Sequence, residues 1–135
     1  MTTLIDSSLW IDFTRARSSQ RLKLFIAPYV LAPGVALAEP VVFEVLRYAS
    51  DAEALQLQNQ FRLLPLMSTP SDLWTQAAVL GQSCRKKGIS TSALDLLIAS
   101  VAIHNGAELI TFDNDFQNIA TASALRVILL KRPTP

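Results

Sequence analysis

Apolar residues along this chain come in short bursts, separated by polar caps and by Pro or Gly. Thr3-Leu4-Ile5 is a brief apolar run that stops at Asp6-Ser7-Ser8. Leu9, Trp10, Ile11 and Phe13 follow, which predicts a strand, a polar turn and a helix with Asp6 or a serine at its cap. A second helix is expected within Arg15 to Tyr29, starting near Ser18 or Ser19. Pro33-Gly34 reads as a turn feeding a short strand through Val35-Ala36-Leu37. Glu39-Pro40 opens a helix that is apolar over most of its circumference, since Pro suits the first helical position. Another helix spans roughly Asp51 to Phe61, and Leu63 to Met67 reads as a short strand that Pro65 confines to an edge. Ser71 is the expected cap of a long helix running towards Lys87, with Gly88 as its stop.

The last third has the sharpest pattern. Ser92-Ala93-Leu94-Asp95 starts a helix through about His104, which Asn105-Gly106 ends. Glu108 to Thr111 is a strand, Phe112 to Phe116 a loop or helix start, and Arg126 to Leu130 a final strand. Short apolar strands alternating with helices predict an α/β fold around a mainly parallel sheet. Such sheets take their ligands beyond the carboxyl ends of the strands.

The sequence has 135 residues, of which 50% are apolar, so one domain over residues 1–135 with a substantial core is expected. Charged residues make up 17%, against ~25% in average soluble domains. That scarcity suggests a buried oligomer face. A net charge of +1 excludes a global field that would announce nucleic acid or membrane. Leu24 to Ala38 is the longest uncharged stretch, and Pro28, Pro33 and Gly34 interrupt it, so no membrane-spanning segment is expected. Asp6 cuts short any signal-peptide core. A lone Cys84 cannot form an internal disulfide or a zinc site, and a reducing cytoplasm is the natural setting.

The candidate chemistry is acidic. Asp6 ends the first strand and Asp113 follows the Glu108–Thr111 strand, so both fall at one end of a parallel sheet. Asp95 opens a helix facing that end, Glu44 lies in an otherwise apolar helix, and Asp115 is a candidate fifth acid. Convergent carboxylates repel one another and resist desolvation, so protons or a cation must offset them. Hard divalent cations take oxygen ligands, and such a site can activate water for attack on a phosphodiester. His104 is the only histidine, and there is no phosphate-binding or dinucleotide-binding glycine motif. Each acid also has an ordinary structural reading. Asp6 could cap the first helix, Glu44 could pair with Arg47, Ser92 and Asp95 form an S-x-x-D capping pattern, and Asp113 and Asp115 suit a turn.

Four stretches carry a resemblance. They are Leu4-Ile5-Asp6-Ser7-Ser8-Leu9-Trp10-Ile11-Asp12-Phe13, Pro40 to Arg47 around Glu44, Ser92 to Ala99 around Asp95, and Leu109 to Phe116 around Asp113. In that order and spacing the chain resembles PIN-domain ribonucleases, particularly VapC-type toxins of toxin–antitoxin pairs. The resemblance implies a three-layer α/β/α sandwich and a metal-dependent endoribonuclease. It makes Asp6, Glu44, Asp95 and Asp113 the acidic quartet, with Asp6 and Asp95 the firmest ligands of Mg²⁺ or Mn²⁺. It leaves Asp113 and Asp115 unseparated, prefers Glu44 to Glu39, and puts Ser7 and Thr111 at hydroxyl positions beside the site. It further implies an RNA substrate, a homodimer and a cognate VapB-type antitoxin that covers the site. Operator DNA would be contacted only through that antitoxin.

Two basic groups, Arg15-Arg17-Arg21-Lys23 and Arg85-Lys86-Lys87, could flank the acids and track RNA phosphates, or serve as a solvated face and a helix C-terminus. Trp10 and Phe13 suit core packing or a dimer contact, and Trp74 and Phe61 read as core. His104 reads as a cap or surface residue and Cys84 as a buried apolar one. The rivals are a catalytically silent PIN scaffold that acts by binding, and a phosphoacceptor signalling domain. The latter would want paired acids after the first strand, whereas Asp6-Ser7 stands there.

Overall fold

A computed structural model describes residues 2–134. Eleven elements follow in chain order: β1 (Thr3–Ile5), α1 (Ser7–Thr14), α2 (Gln20–Val30), β2 (Val35–Ala36), α3 (Glu39–Arg47), α4 (Asp51–Phe61), α5 (Leu73–Lys86), α6 (Ala93–His104), β3 (Glu108–Thr111), α7 (Asn114–Ala120) and β4 (Arg126–Leu129). The four strands make one sheet in the order β2-β1-β3-β4, every pair parallel. The expected α/β class around a parallel central sheet is therefore what the chain adopts.

Strand order has a consequence for chemistry. The chain steps from β1 outward to β2, then crosses back over β1 to β3 and on to β4. Right-handed crossovers taken in opposite directions put their helices on opposite faces. Accordingly α1 packs on α2, while α6 packs on α5 and α7. The reversal falls between β1 and β3, whose register pairs Leu4 with Leu109 and Ile5 with Ile110. A crevice opens at such a switch point, beyond the strands' carboxyl ends. Asp6 and Asp113 stand on its two sides.

The core beneath is dry and continuous. Leu4, Ile5, Leu9, Ile98, Leu109 and Ile119 are fully buried, and Phe116 nearly so. Trp10 is core, edge-on to Phe61 at 5.0 Å, as its spacing suggests. Cys84 is buried as expected. Gly88 ends α5 at φ 73° and Gly106 ends α6 at φ 60°, the left-handed conformation that glycine adopts without strain.

Four details differ from the sequence reading. Leu63–Met67 forms no full strand; it contributes one bridge, Leu37 to Leu66, with Leu37 N–H donating to Pro65 O and Met67 N–H to Leu37 O. The cap of α5 is Asp72 rather than Ser71, and the Asp72 carboxylate accepts from Gln76 instead of from the helix backbone. Ser50 and Glu53 form a reciprocal capping box that starts α4, a polar signal to which the apolar pattern is blind. Trp74 is not core: it is 75% exposed, on the rim of a shallow apolar groove that it lines with Ala77, Ala78, Ala93, Leu96 and Leu97. Among the described residues no helix is long and apolar enough to cross a membrane.

Candidate active site

The pocket grows from the ends of two strands and the starts of three helices. Asp6 follows β1 and caps α1, accepting from Ser8 N–H at 3.4 Å. Asp113 follows β3 and caps α7, accepting from Asp115 N–H at 2.9 Å. Asp95 sits in the first turn of α6, where the Ser92 hydroxyl accepts from its amide at 3.1 Å. Asp6 and Asp113 each cap a helix and Asp95 stands in the first turn of another, and all three line the same cleft. A parallel sheet aims its helix N-termini at one edge, so acids that cap those helices arrive together. Glu44 comes from mid-α3 and accepts from the Ser7 hydroxyl. It does not pair with Arg47, whose guanidinium lies over the rings of Tyr48, at 4.4 Å, and Phe43.

Asp6, Glu44, Asp95 and Asp113 line one cleft of about 200 Å³, together with Ser7, Ser8, Ile11, Tyr48 and Phe116. Glu39 stays outside it, exposed and accepting from Thr69. The closest carboxylates are Asp95, Asp113 and Asp115, which can each offer an oxygen within 4.8 Å of the others. Asp115 thus lies within reach of Asp95 and Asp113, although it does not line the cleft itself.

Asp6 is the inner wall. Only 2% of its surface is exposed, and its Oδ2 accepts from the hydroxyls of Ser8 and Thr111, each at 2.8 Å. Its Oδ1 has only Ser7, at 3.2 Å. Those hydroxyls are themselves oriented: Ser8 accepts from Phe112 N–H at 3.3 Å and Thr111 from Asp113 N–H at 2.9 Å. The β3–α7 corner thereby steers the carboxylate on β1. Burial pushes the Asp6 carboxyl above its ordinary range, with the hydroxyls of Ser8, Thr111 and Ser7 pulling the other way. Asp95 is pushed up to about 6, first by burial and then by the charge of Asp113, with Asp6 and Glu44 adding to it.

That repulsion and the donor set test what could bind. The pocket offers carboxylate and hydroxyl oxygens and no nitrogen or sulfur ligand. Oxygen-only donors suit a hard divalent cation, and so does a carboxyl already resisting a second negative charge. The acidic cluster can hold such an ion.

Ser8 and Tyr48 escaped the sequence reading as site residues. Ser8 has a local signal, two residues after a helix-capping Asp. Tyr48 lies four residues after Glu44, on the same face of α3. The basic groups divide. Arg15 and Arg17 line a depression with Tyr48 and Glu53, next to the acids. Arg85 and Lys86 occupy the last turn of α5, and Lys87 donates to Thr121 O at 3.0 Å, so that group serves the fold.

The Thr111 hydroxyl permits a direct check. Thr111→Val keeps the shape but leaves buried Asp6 short of a donor and Asp113 N–H short of an acceptor. Stability should fall by ~1–3 kcal/mol, read by urea titration. A change below ~0.5 kcal/mol would mean that the hydroxyl is not part of the framework.

Fold and pocket together define an α/β protein with a carboxylate-lined cleft at the switch point of its parallel sheet. The chain belongs to the PIN-domain family, whose profile matches residues 3–122. Among its relatives are VapC ribonuclease Mb1587 of Mycobacterium bovis and Ribonuclease VapC11 of Mycobacterium tuberculosis. Each is 29% identical over 129 residues, covering 91% of this chain and 95% of the relative. The fold is that of VapBC2 from Rickettsia felis, solved bound to a promoter DNA fragment (TM-score 0.71, 16% identity, 97% of this chain and 100% of that one). It is also that of Mycobacterium tuberculosis VapC20, a toxin that cleaves the sarcin–ricin loop (TM-score 0.69, 19% identity, 93% and 99%).

Proposed function

We propose that this chain is a metal-dependent endoribonuclease, the toxin of a toxin–antitoxin pair, and that residues 1–135 act as one catalytic domain. The observation that carries the reading is the convergence of Asp6, Glu44, Asp95 and Asp113 on one cleft at the sheet's switch point. The names of its ribonuclease relatives supply the substrate class.

Asp6 and Asp95 would hold Mg²⁺ or Mn²⁺, with Asp113 and Asp115 within reach of Asp95. A bound ion of this kind lowers the pKa of a water and offsets charge on the phosphate. Glu44, held by Ser7, is positioned to accept a hydrogen bond from the attacking water. Thr111 and Ser8 keep Asp6 from turning away. Water oxygen bonds to phosphorus and the bond to the 3′-oxygen breaks, leaving a 5′-phosphate and a 3′-hydroxyl.

A VapB-type antitoxin covering this cleft is the proposed partner, with operator DNA reached through it. Solved VapBC complexes of the same fold, one on promoter DNA, support that assignment. A homodimer is the proposed assembly. The exposed Trp74 and its apolar groove of about 220 Å³ between α5 and α6 support a protein-covered face.

Incubating purified protein with 5′-labelled RNA, with EDTA or with Mg²⁺ or Mn²⁺, tests the reading. Cutting is expected only with metal and should leave 5′-phosphate ends. Protons and metal compete for Asp95, so at sub-saturating metal cutting should weaken as pH falls through about 6, and raising the metal concentration should move that loss to lower pH. Equal cutting in EDTA would sink the mechanism. Tight antitoxin binding with no cutting of any RNA would favour the silent scaffold.

A further inference from the structure

Resting on the ribonuclease reading, we propose that Lys131 and Arg132 bind the RNA phosphate next to the scissile one, in the groove that adjoins Asp113. The carboxylates around the cleft repel a polyanion, and a metal offsets that only where it sits. Flanking phosphates need cations of their own.

The segment after β4 supplies them. A groove of about 520 Å³ is lined by Phe112, Asn114, Leu129, Leu130, Lys131 and Arg132. Phe112 and Asn114 are the chain neighbours of Asp113, so the β3–α7 corner lines this groove with two residues and the acid cleft with the one between them. Leu130 N–H donates to Thr111 O at 2.8 Å, which pins the segment beside the residue that orients Asp6.

Arg132 forms an ion pair with Asp12, but through one nitrogen only. Its Nε donates to Asp12 on α1 at 2.7 Å, and its guanidinium lies 4.5 Å from the centre of the Phe112 ring. Its terminal nitrogens have no hydrogen-bond partner among the described residues, and half of the side chain (52%) is exposed. A guanidinium anchored through Nε and stacked on a ring keeps its Nη edge for a phosphate oxygen. Lys131 is exposed and makes no ion pair among the described residues. A strap serving only the fold would need Arg132 and Asp12 but not Lys131.

The test uses a fluorescein-labelled single-stranded RNA, anisotropy from 50 to 200 mM salt, and full cleavage kinetics. The Lys131→Ala/Arg132→Ala pair should bind RNA roughly tenfold more weakly at low salt. Its log K against log salt should be shallower by about 0.7 for each phosphate that the variant no longer neutralises. KM should rise while kcat stays within about twofold, since the reacting phosphate is held elsewhere. Asp12→Asn, which keeps both cations, should retain the parent's salt slope. An unchanged affinity and slope in the double variant would overturn the proposal. So would an equal loss in Asp12→Asn together with a lowered Tm, or a double variant whose only defect is weaker hold on a protein partner. If the parent binds RNA but never cuts it, the ribonuclease reading fails while the salt slope still decides this site.

Discussion

Asp95→Asn should reduce RNA cleavage by on the order of 10²–10³, the usual cost of removing one group that stabilises charge in a reaction. The same change should make the metal-free protein more stable at pH 7.5. Both outcomes have one physical source. In the fold the Asp95 carboxyl is pushed from 3.8 up to about 6 by burial and by Asp113, Asp6 and Glu44. The native state therefore binds that proton more tightly than the unfolded chain does. Stability from this group is present at acid pH and declines as pH rises from about 4 through 6. Asparagine resembles the protonated form and removes the penalty, so parent and variant should converge only at about pH 4 and below, where the unfolded chain also keeps this proton. Saturating Mg²⁺ or Mn²⁺ should reverse the order at pH 7.5, raising the parent's Tm and leaving the variant's nearly unmoved. Melting curves with and without metal at the two pH values read all of this. A variant less stable than the parent in EDTA at pH 7.5 would mean that the carboxylates are not in repulsion. A variant that still cuts at the parent's rate would remove Asp95 from the site.

The second large effect is on folding. Phe116 is 1% exposed, belongs to α7 and forms part of the floor of the acid cleft. Phe116→Ala should cost about 3–5 kcal/mol, through lost transfer energy and the cavity left behind. For a chain of this size that is a fall in Tm of roughly 10–20 °C. Because α7 starts at the residues that present Asp113 and Asp115, metal affinity should fall with it. Trp74→Ala, an aromatic deletion on a groove exposed in the single chain, should change the stability of the dilute monomer by less than ~0.5 kcal/mol and cost more only at concentrations where the proposed dimer forms. Comparable losses at the two positions would mean that Trp74 is covered in solution, as the proposed dimer face would have it.

The contrast between those aromatics marks where a sequence stops being legible. Trp74 extends the inward stripe of Ala77, Gly81 and Cys84 by helical spacing, so periodicity reads it as core. A Cβ at Gly81 would meet Leu96 at 3.0 Å, so α5 and α6 approach closely there. At Trp74, about two turns before that approach, the indole stays in solvent. What sits opposite a residue is not written in its own neighbourhood. Glu44 teaches the same lesson: local spacing offered Arg47, while the fold supplied Ser7, 37 positions away.

Short apolar runs, caps and glycine stops are local physics, and they determined the order of strands and helices, the parallel sheet and the placing of acids at strand ends and helix starts. The capping role of Asp6 followed from the same local rules, whereas Asp113, read as a turn former, proved to cap α7. Only the tertiary structure decided which acids share a cleft and which stay apart. It joined Thr111 to Asp6 across 105 residues and Arg132 to Asp12 across 120. It also opposed the Asp95 charge to three other carboxylates. Those contacts depend on strand order and crossover direction, which put distant segments side by side, and no local pattern carries that information.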